Sequence, residues 1–395
     1  KLVELDYLKH VAVFILVPST TLREQFSRKK VFSMSATNQA PASVPTAEPA
    51  AQPQPETETE HGVLIAAEEF TDDSSSVHQS IASSTTSLSS SILDYRTENG
   101  RTYHKYKDGK YWIPNDEREN ERLDRWPDVQ HNLFVRTFRG RLGNAPPTDP
   151  GAKVGRVLDI GTGSGIWAID FGEEHPEAEI LGVDLSAAQP DLLTAGESVP
   201  PNVRFEIDDV EEPWIFSDRF DYIHSRMMTW SISNWKKLFK QCYDNLNPGG
   251  YLEANEGNIV PLSDDGTLKD DSALMKSVRL WESAAEIFGR PFEDTRRLKD
   301  FMEEVGFEDV HILKYKWPTN TWPKDPHYKD LGAWSYEHVS LAWEGFLMAP
   351  LTRAHNWTRE EALVHIMEAR RDLSDRTIHA YFNVWSIYGR KPLNG

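Results

Sequence analysis

Arg156-Val157-Leu158-Asp159-Ile160-Gly161-Thr162-Gly163-Ser164-Gly165-Ile166 is the stretch whose reading decides the fold. An apolar run that ends in Gly-Thr-Gly-Ser-Gly and leads straight into a helix start reads as strand, tight turn and helix. Glycines at alternate positions let the backbone bend and lie flush against a ligand, because no Cβ stands in the way. Outward from this turn the units alternate. Val157 to Ile160 reads as a first strand, Ile166 to Glu174 as a helix, Ile180 to Leu185 as a second strand and Val203 to Ile207 as a third. Phe220 to His224 reads as a fourth, Asn234 to Asn245 as a helix, and Tyr251 to Ala254 as a fifth strand after a Pro248-Gly249-Gly250 turn. Such alternation predicts a doubly wound α/β fold with ligands at the carboxyl ends of its strands.

Beyond Asn258 the pattern loosens. Asp271 to Phe288 and Thr295 to Val305 read as helices, Val310 to Trp317 as a strand, Leu331 to Leu373 as further helices, and Tyr381 to Tyr388 as a last strand. Before the glycine turn, Leu123, Trp126, Val129, Leu133, Phe134 and Phe138 recur at amphipathic-helix spacing. The domain reading is a disordered tail over 1–91, a helical lid over 92–150, a cofactor core over 151–260 and a C-terminal part over 261–395. That last part completes the sheet and the acceptor pocket.

The tail reading rests on composition. Thr37 to Ser91 holds eight acidic residues and no Lys or Arg, is Pro-rich and then Ser-rich, and lacks the apolar content to offset its ordering entropy. Lys1 opens the chain and Met34 stands just before the tail, so residues 1–33 read either as native sequence or as an extension of the gene model. A formal net charge of −19 over 395 residues opposes sequence-independent nucleic-acid binding. The apolar run Val11 to Val17 is far short of a bilayer span. A lone cysteine, Cys242, excludes an intrachain disulfide and fits a reducing compartment, cytoplasmic or nuclear. His338, His355 and His365 lack metal-ligand spacing, so no metal site is expected.

The turn's chemistry is more specific than its shape. Its glycines follow GxGxG, and Ile166 occupies the place where a dinucleotide fingerprint would put a glycine. Asp159 would repel a diphosphate and attract a cation, which fits S-adenosyl-L-methionine with its ammonium and sulfonium. Asp184 ends the second strand, where an acid can accept both ribose hydroxyls, and Asp208-Asp209 end the third, where one can accept from an adenine amino group. A nicotinamide-dependent oxidoreductase is the disfavoured alternative.

Further stretches carry a family resemblance. Val157 to Trp167, Gly182-Val183-Asp184-Leu185-Ser186, Phe220 to Met227 and Leu246 to Glu253 resemble the successive motifs of class I S-adenosylmethionine-dependent methyltransferases. Glu98 to His104, Trp167, Gln189-Pro190 and Glu212-Pro213-Trp214 are similar to the LaeA-like (TAM-domain) fungal methyltransferases. The resemblance covers about Tyr95 to Arg390 and implies a seven-stranded Rossmann-like sheet. It also implies a cofactor site of Asp159, Gly161, Thr162, Gly163, Gly165, Asp184, Leu185, Asp208, Asp209, Val210, Ser225 and Arg226, with Tyr103 in a lid. His224 would face the methyl group as a general base, or serve as a structural hydrogen-bonder. Arg226 would bind a carboxylate or pair with a structural acid. Trp317, Trp322, Trp334 and Trp343 would line an acceptor pocket or fill a core. The acceptor is a small molecule, plausibly a secondary metabolite, or a protein reached in a nuclear complex, with the tail recruiting partners.

Overall fold

The computed structural model describes residues 95–98, 101–104, 129–185 and 199–394. The tail, the aromatic segment around Trp112, Leu123, Trp126, Ser186 and Gln189-Pro190 lie outside them. Strands β1 (Tyr95–Glu98) and β2 (Arg101–His104) pair antiparallel as a separate hairpin. The 92–150 stretch is therefore part hairpin rather than helical throughout. Glu98 ties the hairpin to the body, accepting from Arg353 Nε at 2.9 Å in an ion pair whose Nη2 lies 2.8 Å away.

Helix α1 (residues 129–137) precedes the sheet. The sheet is built from β3 (Arg156–Ile160), β4 (Glu179–Asp184), β5 (Val203–Ile207), β6 (Phe220–Arg226), β7 (Leu246–Gly257), two-residue β8 (Leu262–Ser263), β9 (Glu308–Pro318) and β10 (Ala380–Arg390). Its order is β5-β4-β3-β6-β7-β10, with β8 and β9 also pairing to β10. The first five are parallel, and β10 runs antiparallel to β7 and β9. Seven long strands thus form the expected doubly wound sheet, and β8 is a short addition. Helices α2 (Ile166–Glu174) and α3 (Trp235–Asn245) follow β3 and β6. Then come α4 (Ala273–Ile287), α5 (Arg297–Val305), α6 (Pro326–Ala349), a π-helical turn (Pro350–Ala354) and α7 (Arg359–Ser374).

Two strands differ from the sequence reading. β6 continues to Arg226, two residues past His224. β7 begins at Leu246, and Pro248-Gly249-Gly250 is an irregularity inside it: Phe220 pairs with Leu246 but Tyr222 pairs with Tyr251. Proline cannot donate to a ladder and Gly249 sits at φ 85°, so the chain loops out and rejoins its register.

Capping side chains start four of the later helices, α3, α4, α6 and α7. Asn234 accepts from Lys237 N at 2.9 Å for α3, and Thr358 with Glu361 forms a reciprocal capping box for α7. The sheet is covered on both faces. Trp167 and Phe171 of α2 pack with Val157, Ile180 and Tyr222 on one side, and Leu238, Phe239 and Cys242 of α3 with Leu298 and Met302 of α5 pack on Leu158, Ile160 and Ile223 on the other. Each such side chain stabilises the fold by roughly 1.5 to 3 kcal/mol through area removed from water. A separate core joins α4, α6 and α7 through Trp281, Trp343, Phe346, Ala362 and Leu373, with Trp230 from the segment after β6.

Candidate active site

The glycine turn is held from below by β4. Gly161 and Thr162 both donate their amides to Val183 O, at 2.8 and 3.0 Å, and Gly163 N donates to Asp184 Oδ2 at 2.9 Å. Asp184, half-buried at the end of β4, therefore fastens the turn with one carboxylate oxygen. Gly161, Gly163 and Gly165 all take the left-handed conformation, at φ 66°, 58° and 80°. A Cβ on Gly161 would collide with the Met228 thioether, whereas one on Gly163 meets no described atom within 4 Å. The turn is thus walled on one side and open on the other, a surface a flat ligand can approach.

Beneath the turn lies a buried polar relay. Asp159, 3 % exposed, accepts from Thr162 Oγ1 at 2.6 Å and from His224 Nδ1 at 2.8 Å. His224 Nε2 then accepts from Asn255 Nδ2 at 3.3 Å. These partners assign the neutral Nδ1–H tautomer. The His224 ring is 1 % exposed and stacks on Trp167 at 3.7 Å with a 9° interplanar angle. Both ring nitrogens are engaged, so this arrangement leaves His224 no lone pair with which to take a proton from an acceptor.

Arg226 ends β6 on the same face. Its guanidinium lies 5.1 Å over the Phe134 ring and 3.4 Å from His131 Nδ1, while His131 Nε2 is 3.0 Å from Asp170 Oδ2. Burial lowers the Arg226 pKa to about 10 against the opposing pull of Asp159 and Asp170, and the group stays cationic at neutral pH. Burial likewise lowers His131, outweighing its bond to Asp170, which keeps Nδ1 an acceptor. Ser225 is buried between Ile160 and Ala254 in the ladder.

At the third strand end, Asp208 N donates to Asp184 O at 3.0 Å, joining the two acid-bearing ends. Asp208 is exposed and accepts from Asp209 N at 2.7 Å, while Asp209, 4 % exposed, accepts from Glu211 N at 3.1 Å. Val210 O is taken by Trp214 Nε1 at 2.9 Å and Gln241 Nε2 at 3.1 Å, which gives Trp214 a structural role. Leu185 is half-buried beside Asp184. Tyr103 belongs to β2, on a hairpin and not on a helix.

The structure also brings in residues that sequence reading passed over. Glu253 is fully buried and accepts from Asn144 N at 2.8 Å, Ala145 N at 2.9 Å, Tyr222 Oη at 2.8 Å and Ser386 Oγ at 3.0 Å. Burial and this carboxylate push the Tyr222 hydroxyl far up, so it remains a donor. Met228, Asn255 and Glu256 also stand at the site. A cavity of about 230 Å³ opens at the carboxyl end of β7, lined among others by Thr229, Gly257, Asn258, Glu282, Phe292 and Thr295. Trp343 packs with Trp281 in the helical core; Trp317 and Trp334 belong to a cluster with Phe134, and Trp322 donates to Ala380 O at 2.8 Å.

Strand order and the glycine turn define a class I, Rossmann-like methyltransferase, and a family model described as a methyltransferase domain matches residues 129–312. Over 78 % of its length the chain is 40 % identical to the methyltransferase pytC of Aspergillus terreus, covering 92 % of that protein. It is 39 % identical to the secondary metabolism regulator LAE1 of Cochliobolus heterostrophus, over 75 % of this chain and 94 % of that one. It is 34 % identical to the protein-methionine methyltransferase laeA of Emericella nidulans, over 76 % and 77 %. A solved structure of Haemonchus contortus phosphoethanolamine N-methyltransferase 2 with S-adenosyl-L-methionine aligns at a TM-score of 0.38 and 16 % identity, over 77 % of this chain and 72 % of that one. The chain belongs to the LaeA-like fungal methyltransferases associated with secondary metabolism, enzymes that use S-adenosyl-L-methionine.

Proposed function

We propose that this enzyme methylates a small molecule, with the cofactor on the open side of the glycine turn and the acceptor entering beside β7. The observation that carries this reading is the cavity of about 230 Å³ at the carboxyl end of β7, next to the strand that ends in Arg226. Its size suits a small acceptor, and Phe292 with Glu282, Thr229 and Asn258 gives it mixed apolar and polar walls. Residues 151–260 then supply the cofactor site and share the acceptor walls with 261–395, with 92–150 as cover.

The residues fit the cofactor. Asp184 ends β4 where an acid can accept from ribose hydroxyls, Asp208 or Asp209 would meet the adenine end, and cationic Arg226 suits a carboxylate. Tyr103 is assigned to the cover. The bound cofactor supplies a sulfonium-activated methyl group, so the chain's task is alignment and exclusion of water. His224 acts by fixing Asp159 and the turn above it rather than as the base. Incubation with labelled cofactor in separate metabolite and protein extracts tests the acceptor class. Label confined to small molecules is expected, and label confined to protein would overturn it.

A second reading has its own observation. The Met228 thioether lies against Gly161, and the Emericella nidulans relative is a protein-methionine methyltransferase. Transfer to Met228 Sδ would form an S–CH3 bond, release S-adenosylhomocysteine and leave a methionine sulfonium. Mass spectrometry of the protein after incubation with cofactor decides this, since one added methyl on the Met228 peptide is required.

A further inference from the structure

Glu256 stands near the carboxyl end of β7 on the face opposite Asn255, fully buried. Its carboxylate accepts from two consecutive amides, Met228 N at 3.0 Å and Thr229 N at 2.9 Å, and from Thr229 Oγ1 at 2.6 Å. The residue before them, Met227, has φ 56°, a left-handed conformation that a non-glycine residue takes only at a steric cost. A left-handed residue turns successive amides to one side and makes a small anion-binding concavity, and here the chain fills it with its own carboxylate. The turn so held carries Met228 against Gly161 on one side and Thr229 into the cavity wall on the other.

We propose that Glu256 is a positioning residue for methyl transfer: as a carboxylate it clamps the turn at 227–229, and so sets the wall of the cofactor's glycine turn. Protonation puts a hydrogen on an oxygen that accepts from Met228 N or from Thr229 N and Oγ1; the two amides cannot take it, and Thr229 Oγ1 can do so only by turning its own hydrogen toward Gly257 O, 3.5 Å away, which loosens the clamp. Burial holds the Glu256 pKa up at about 7, more than the three donors pull it down, so the change falls near neutrality. None of the causes of that shift is a charged neighbour. In the layer packed on this face the core holds the Cys242 thiol, pushed far up by burial, and Tyr243, while Lys236, Lys237, Lys240 and Asp244 of α3 are exposed; across the cavity stand Glu282, Glu293, Asp294 and Arg296. Cofactor affinity therefore rises with pH through neutrality.

The proposal rests on placing the cofactor at the glycine turn, and the test separates the two. Calorimetry with S-adenosylhomocysteine is run on the full chain over a pH series from about pH 6 to about pH 8. The wild type should bind several-fold more tightly at the higher pH. Glu256→Gln, which sets an amide donor against backbone donors, should bind about tenfold more weakly at the higher pH, with the pH dependence gone. Thr229→Val removes one donor to the carboxylate and should move the midpoint of the dependence upward. Glu256→Gln with wild-type affinity and slope overturns the proposal, and if that variant does not fold, an unmoved midpoint in Thr229→Val does so. Asp184→Ala is the control. If it binds normally, the cofactor placement has failed; if it alone loses binding, the clamp has failed.

Discussion

At the scale of single residues the site is a set of shared duties. Asp184 fastens Gly163, and in the proposed placement of the cofactor it also meets the ribose, so Asp184→Ala would remove a ligand contact and a support of the turn together. A hydrogen bond to a charged group is worth roughly 1.5 to 3 kcal/mol, and S-adenosylhomocysteine affinity should fall more than tenfold by calorimetry. An unchanged dissociation constant would remove Asp184 from the site. Gly161 is constrained twice, by φ 66° and by the Met228 thioether. Gly161→Ala should weaken cofactor binding severely, and the double variant Gly161→Ala, Met228→Ala should recover part of the loss by relieving the steric component. No recovery would mean that the backbone conformation alone accounts for the glycine.

At the scale of elements, β7 organises the centre. Glu253 and Asn255 face α2 while Ala254 and Glu256 face α3, the alternation any strand imposes. Glu253 draws the 144–145 loop, β6 and β10 onto one carboxylate. Glu253→Gln places an amide donor among four donors and should cost about 3 kcal/mol, read as a lower urea midpoint. A loss within error would show that the loop holds itself. The same strand marks where sequence reading stopped. Helix α2, β5 and the ends of α3 were legible from local signals, because hydrophobic period and cap residues sit within a few positions. Pro248-Gly249-Gly250 reads locally as a turn, and only pairing with β6 reveals a loop-out. Asp159 and Asp184 were legible as strand-end acids, whereas the Met228, Asn255 and Glu256 contacts depend on register across strands, which no local window contains. His224 was noticed, but its two partners lie 65 and 31 residues away in sequence.

At the scale of the whole molecule, the buried acid that tightens the site works against the fold. Half-buried acids such as Asp294, held low by its bonds to Arg296, give stability that is present above the ordinary carboxyl value of 3.8 and lost as pH falls through the lower folded value. Asp265, which burial alone would raise, is pulled below its ordinary value by hydrogen bonds from His379, Thr267 and Ser263, and behaves alike. Glu256 has the opposite sign. Its pKa is raised from 4.5 to about 7, so between those values the folded chain keeps a proton that the unfolded chain has released. Stability therefore falls as pH rises through that window, by a total on the order of 3 kcal/mol. In Glu256→Gln this term vanishes. The melting temperature of the variant relative to wild type should climb by several degrees between those two pH values and stay level above them. A difference that is flat with pH would mean that Glu256 is ionised throughout and costs the fold nothing. Affinity for the cofactor moves the other way over the same window, because the ionised carboxylate that burial penalises is the one that accepts from Met228 and Thr229. A clamp fully satisfied only when charged, set in a layer that resists charge, costs stability where it serves binding.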